Sequence, residues 1–217
     1  MDKLANFKIL LSKERLESYN NEIDKHYENL KLIANITPKI ATLEIILRNK
    51  LDSVLSLRNN EWIKNAKDAK IIEAREKIEN NSNGSYLSHH QYLSRMSLGT
   101  IIHITRKGRF QNKVMNLGNI NFLDYDSSNR NFWIKDSRKT YFKNFEKVDI
   151  VLSLLQNLRN RSYHWENITK TISKNGIDYP RLTTKVKNTH IGINPNKIEI
   201  FLDDLIKTYD ERFLNYC

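Results

Sequence analysis

The chain has 217 residues, enough to bury a core as one domain or at most two small ones. With 39% hydrophobic and 28% charged residues it is too apolar for outright disorder, and its 6 Gly and 3 Pro disfavour a sheet-rich, turn-dense fold. Lys and Arg outnumber Asp and Glu by 36 to 25, a formal net charge of +11, which favours a polyanionic partner such as nucleic acid or an acidic membrane surface.

The single cysteine is the last residue, Cys217, so an intrachain disulfide and a multi-thiolate metal site are both excluded. Met1 to Phe7 carries charges of both signs and lacks the apolar core of a signal peptide. No apolar run approaches bilayer length. A cytoplasmic location with no membrane partner is the resulting expectation.

In chain order, Ser12 is placed to cap a first helix through Ile33, with Leu16, Tyr19, Ile23, Tyr27, Leu30 and Ile33 as its apolar stripe. Thr37-Pro38 reads as a cap followed by proline at a first helical position, opening a second helix. That helix would turn Ile40, Leu43, Leu47, Leu51, Val54 and Leu55 inward. A third, more polar helix follows Trp62 and stops at the loop Asn80-Asn81-Ser82-Asn83-Gly84-Ser85. Tyr86 to about Arg106 is again helical in pattern. Gly108 to Arg138 has weak periodicity and suggests short helices joined by loops. A long apolar-faced helix is expected from near Ser137, carrying Phe142, Phe145, Val148, Val151, Leu152, Leu155 and Leu158 to the polar segment Arg159–His164. Arg181 to Ile193 has the makings of a short hairpin, and Lys197 to Leu214 of a closing helix. No internal repeat is evident. The fold class expected is all-α, a single helical domain over 1–217.

Chemistry concentrates in Asn157-Leu158-Arg159-Asn160-Arg161-Ser162-Tyr163-His164-Trp165-Glu166. On a regular helix Asn160 and His164 share a face one turn apart, with Arg159 about 140° around from His164. These groups suit phosphodiester cleavage. A guanidinium binds phosphate as a fork, an imidazole exchanges protons near neutral pH, and an amide orients both. An Arg–His pair at this spacing also arises by chance in a basic chain, where it serves capping and surface pairing. Leu-Arg-Asn begins at Leu47, Leu57 and Leu158, but only at Leu158 does a histidine follow at that distance.

Arg159-Asn160-x-x-x-His164 matches the R-N-x-x-x-H form of the HEPN motif, and the chain resembles the Abi-like (abortive infection) family of bacterial HEPN proteins. Four landmarks carry the resemblance in order: Ser12-x-x-Arg15-Leu16-x-x-Tyr19, Glu44-Ile45-Ile46-Leu47-Arg48-Asn49, Ser97-Leu98-Gly99-Thr100 and the block ending in His164-Trp165-Glu166-Asn167. Family members more often carry a second histidine where Trp165 stands. The resemblance implies a HEPN-type helical bundle with extra helices that dimerises with its motifs facing each other. It further implies a metal-independent, cofactor-free endoribonuclease of the toxin or antiviral-defence kind. In it, the ribose 2′-hydroxyl attacks the adjacent phosphorus and leaves a 2′,3′-cyclic phosphate. His164 would be the general acid/base, Arg159 the phosphate binder and Asn160 the orienting amide. Glu44, Arg48 and Asn49 would support them, with Glu44 and Arg48 one turn apart as either a catalytic aid or a structural brace.

Arg161, Tyr163 and Trp165 are candidate RNA contacts, since aromatics beside basic groups stack unpaired bases; core or interface packing is the competing role for Trp165. Arg106-Lys107-Gly108-Arg109 and Lys185 to Lys187 are further basic patches. His89-His90 lacks ligand spacing for a metal, His103 sits in an apolar helix, and His26 and His190 have no partner at ligand spacing. Two other functions fit the same residues: a non-catalytic RNA-binding module held by a structured, inhibitory non-coding RNA, and a helical protein–protein adaptor. RNA affinity that weakens steeply with salt separates the first from the second.

Overall fold

The computed structural model describes residues 3–82 and 84–217; Met1 and Asp2 of the amino terminus and Asn83 of the expected loop lie outside the described residues. Helices dominate. They are α1 (Lys3–Leu11), α2 (Lys13–Glu17), α3 (Ile23–Ser56), α4 (Ala69–Asn80), α5 (His89–Arg95), α6 (Leu98–Lys107), α7 (Gln111–Val114), α8 (Asn144–Tyr163) and α9 (Ile198–Lys207). The long α3 is the spine, and α6, α7, α8 and α9 all pack on it. Buried apolar side chains form one continuous cluster, from Ile33 and Leu51 on α3 through Val151 and Leu158 on α8 to Phe201 and Leu205 on α9. No helix among the described residues is long and apolar enough to cross a membrane.

The chain is mostly helical, as expected, but strictly all-α is too narrow. Three two-stranded antiparallel hairpins stand among the helices: β1–β2 (Phe132–Lys135, Arg138–Tyr141), β3–β4 (Thr171–Lys174, Ile177–Pro180) and β5–β6 (Thr183–Val186, Thr189–Gly192). The last is the hairpin expected between Arg181 and Ile193. The other two turn at residues that accept a left-handed backbone: Asp136 and Ser137 at φ 48° and 61°, and Asn175 and Gly176 at φ 55° and 75°. Asn-Gly is a strong hairpin signal in its own right. The Asp136-Ser137 turn is also why α8 starts at Asn144 and not near Ser137, leaving Phe142 outside the helix and Phe145 exposed.

The first two expected helices are divided differently. Ser12 does cap α2, its side chain accepting from the Arg15 N–H. The helix then breaks at Asn20 and Asn21, both left-handed at φ 56° and 62°, a conformation that asparagine tolerates better than most residues. Past the break α3 runs 34 residues straight through Pro38, where a boundary was expected. Ile33, Ile36, Ile40, Leu43, Leu47 and Leu51 form an unbroken buried stripe across that point. Each fully buried side chain contributes about 1.5–3 kcal/mol, which together outweighs the roughly 3 kcal/mol cost of an interior proline. Of the expected stripe, Leu16, Tyr19 and Ile33 are buried and Ile23 and Leu30 half-buried, but Tyr27 is exposed and the buried face there holds His26 and Asn29 instead. The Tyr86–Arg106 segment divides at Met96, where Ser97 caps α6. The closing helix stops at Lys207, and a 3-10 turn spans Glu211–Tyr216.

Candidate active site

The site is built on the carboxyl end of α8. Val148, Ile150, Val151, Leu152, Leu154, Leu155 and Leu158 are all buried, so the helix is anchored on more than one side as it carries Arg159 to a half-buried position. It ends in a full Schellman motif. The Glu166 N–H reaches the Arg161 carbonyl at 2.9 Å and the Trp165 N–H reaches the Ser162 carbonyl at 3.0 Å. His164 is the C-cap residue. Trp165 takes the left-handed position that glycine usually fills, at φ 55°, a strained choice that persists only where surroundings over-determine it.

Those surroundings come from distant segments. The Arg15 guanidinium donates to the Trp165 carbonyl at 2.6 Å, across 150 residues of sequence. Asn29, fully buried on α3, donates to the Glu166 carbonyl at 3.0 Å and accepts from the Ile168 N–H at 2.9 Å. The Glu166 carboxylate takes Arg161 at 2.7 Å and Arg181 at 2.9 Å. The turn bearing His164 is therefore held by three distant residues, Arg15, Asn29 and Arg181, and by Arg161 of α8 itself.

Around α8 the motif side chains divide into two lines, as their spacing requires. Arg159 and Tyr163 share one line, the guanidinium carbon 4.3 Å from the ring centroid, a cation–π stack. Asn160 and His164 share the other, both exposed, with the His164 N–H bonded to the Asn160 carbonyl at 3.1 Å. Neither side chain of this second pair has a protein hydrogen-bond partner among the described residues.

Arg159 also meets α3. Its Nε lies 3.7 Å from one oxygen of Glu44, while Arg48 Nη2 lies 3.3 Å from the other. Glu44 and Arg48 are only 13% and 15% exposed and Arg159 33%, so two cations share one carboxylate in a half-buried pocket. Donors outnumber acceptors there: the Nε of both Arg48 and Arg159 is buried without an acceptor. Such a surplus of positive charge and N–H groups suits an oxyanion.

The four sequence landmarks, scattered along the chain, thus converge on the carboxyl half of α8. Arg15 and Glu44 act as described. Gly99, at the start of α6, faces α8 one turn before Arg159, where an added Cβ would lie 3.1 Å from Gln156 Nε2. Asn49 is exposed and makes no hydrogen bond to the others among the described residues. Arg161, a candidate RNA contact, is engaged by Glu166. Trp165 is 54% exposed, so it is not core packing of this chain. Asn29 and Arg181 are further members of the site, and nothing in the sequence distinguishes them from other polar residues. Arg15 and Glu166 lie inside the landmarks, where their spacing gives no hint of the role they take.

His89, His103 and His26 are engaged elsewhere in the fold. His89 Nε2 lies 2.7 Å from Asp52, which also accepts from Trp62 Nε1 at 2.8 Å and the Ser56 hydroxyl at 3.1 Å. Burial alone would raise the Asp52 pKa, but these bonds outweigh it and hold the carboxyl below its ordinary value. His103 lies 3.2 Å from Asp68 and is 30% exposed, so it is not sealed in the core. His26 is buried edge-on to Tyr19 and Tyr27, and burial, aided by nearby Arg15, lowers its pKa. Among the described residues no three His, Cys, Asp or Glu side chains gather as a metal ion would need.

No family model, no curated protein and no solved structure matches this chain.

Proposed function

We propose that this chain is an endoribonuclease of the HEPN type that cuts RNA without a metal ion, acting as a homodimer against RNA in a toxin or antiviral role. The carrying observation is the Arg159–Glu44–Arg48 pocket, rich in donors and net positive, at the same end of α8 as Asn160 and His164, whose side chains have no partner among the described residues. Arg159 holds non-bridging phosphate oxygens and meets the charge that builds on them in the transition state. Glu44 and the Tyr163 ring fix its guanidinium. His164 exchanges the proton: the ribose 2′-oxygen attacks phosphorus, the bond to the 5′-oxygen breaks, the 2′-hydroxyl gives up its proton and the leaving 5′-oxygen gains one. The products are a 2′,3′-cyclic phosphate and a 5′-hydroxyl. Asn160, on the same face as His164, orients the imidazole or the phosphate.

One chain supplies one motif imidazole for two proton transfers, and a second copy facing it supplies the other. Ile45, Tyr163 and Trp165, exposed by 52%, 44% and 54%, flank the pocket with apolar surface suited to that contact.

The test is cleavage of an unstructured RNA by the full chain in EDTA, beside His164→Ala, with the new ends mapped. Wild type should leave cyclic phosphates, and His164→Ala should bind but cut about 10²–10⁴-fold more slowly. Equal cutting by both, cutting of DNA, or loss of activity with the chelator each refutes the proposal.

A further inference from the structure

A second cationic feature lies beside the pocket. Between α4 and the α5–α6 junction runs a cleft of about 390 Å³, lined by Lys70, Lys77, Arg95, Met96 and Ser97. Lys70 and Lys77 project from one face of α4, seven residues and so about 10 Å apart along its axis, with Arg95 on the opposite wall. All three are exposed. Several lysines elsewhere pair with carboxylates: Lys39 with Asp203, Lys64 with Glu61, Lys107 with Asp68 and Lys187 with Glu146. Within the cleft the one carboxylate is Glu73, placed at i−4 from Lys77 and i+3 from Lys70, spacings that favour pairing. No ion pair joins them among the described residues, and Arg95 bonds only a hydroxyl, that of Ser82.

The cleft also connects to the site. Arg48 Nη2 reaches the carbonyl of Met96, a lining residue, at 3.5 Å, while the same nitrogen faces Glu44 and through it Arg159. From Arg159 the cations therefore continue through Arg48, itself largely buried, to Arg95, Lys77 and Lys70, which are exposed. The positive end of α6, capped by Ser97, points into the same space.

We propose that this cleft holds the phosphates of the RNA strand that leads away from the scissile linkage, gripping single-stranded RNA by its backbone without regard to sequence. The identity of the strand rests on the ribonuclease reading; its charge does not. The grip extends Arg159 from a single phosphate contact to a track, so affinity grows with strand length on one side of the cut.

The experiment measures binding of a fluorescent dinucleotide and of longer oligouridylates to the full-length His164→Ala chain across a salt series, with and without Lys70→Gln, Lys77→Gln and Arg95→Gln together. Three lost phosphate contacts should weaken the longer oligonucleotides at least tenfold and flatten the dependence of log affinity on log salt by about 2, while the dinucleotide is unchanged. Glu73→Gln, a substitution at an exposed position, should tighten the longer strands several-fold and guards against a triple variant that misfolds. Unchanged affinity and slope in the triple variant, or no gain from Glu73→Gln, overturns the proposal. The two readings fail separately. A wild-type chain that cuts no RNA while the triple variant still loses affinity removes the nuclease and keeps the cleft. A chain that cuts while the triple variant binds long strands normally removes the cleft alone.

Discussion

Replacing Asn29 by Ala tests whether the turn that carries His164 is held from α3. The amide is 0% exposed and uses both ends, giving a hydrogen bond to the Glu166 carbonyl and taking one from the Ile168 N–H. Alanine leaves both backbone groups without a partner in a site closed to water. Each orphaned group costs about 1–3 kcal/mol, so the loss should total about 2–6 kcal/mol. For a domain of this size that corresponds to a Tm lower by roughly 5–15 °C. Asn29→Asp should be no milder. It keeps the acceptor for Ile168 but sets an oxygen against the Glu166 carbonyl and buries a charge. Thermal and urea unfolding followed by circular dichroism gives the stability. RNA cleavage measured well below the lowered Tm then reports on positioning, and it should fall while RNA affinity holds. A loss below about 1 kcal/mol in Asn29→Ala, or full cleavage in that variant, would show that the turn stands without this clamp.

Asp52→Ala strips the shared acceptor from Trp62, His89 and Ser56 and should cost about 2–4 kcal/mol in urea unfolding. Because Asp52 titrates below its ordinary value of 3.8 when folded, its contribution is complete above that pH and is lost as the pH falls through the depressed value; with the two matched for stability at neutral pH, acid unfolding should therefore start at higher pH in wild type than in Asp52→Ala. His26 runs in the same direction for a different reason. Burial, with Arg15 second, lowers its pKa from 6.5, so the unfolded chain takes up that proton first and stability declines as pH drops below about 6.5. His26→Phe should flatten the Tm against pH profile between neutrality and pH 5. Pro38 is exposed inside α3 and denies the Ala34 carbonyl a helical partner; Pro38→Ala should raise stability by about 1–2 kcal/mol in urea unfolding, the helix gain less the freedom restored to the unfolded chain.

Local pattern alone carried much of this molecule. Ser12 as a cap, the polar helix ending at Asn80, the apolar face of α8 and the hairpin near Thr183–Gly192 all follow from neighbours within a few residues. So does the placing of Asn160 with His164, and of Arg159 with Tyr163, which the 3.6-residue turn dictates. The two unexpected hairpins were legible too, in Asn175-Gly176 and Asp136-Ser137. Pro38 misled because the cost of a proline is local and the stripe that overrides it extends over the whole of α3.

Spacing said that Glu44 and Arg48 meet, and the structure has them 3.3 Å apart. It could not say that Glu44 would also receive Arg159, that Arg48 would touch the Met96 carbonyl, or that Arg15 and Asn29 would hold the backbone beyond His164. Periodicity fixes which residues share a face of their own helix, because the geometry repeats every turn. Which carboxylate answers which guanidinium across the core depends on how α3, α6 and α8 pack, and no stretch of the chain read by itself contains that packing.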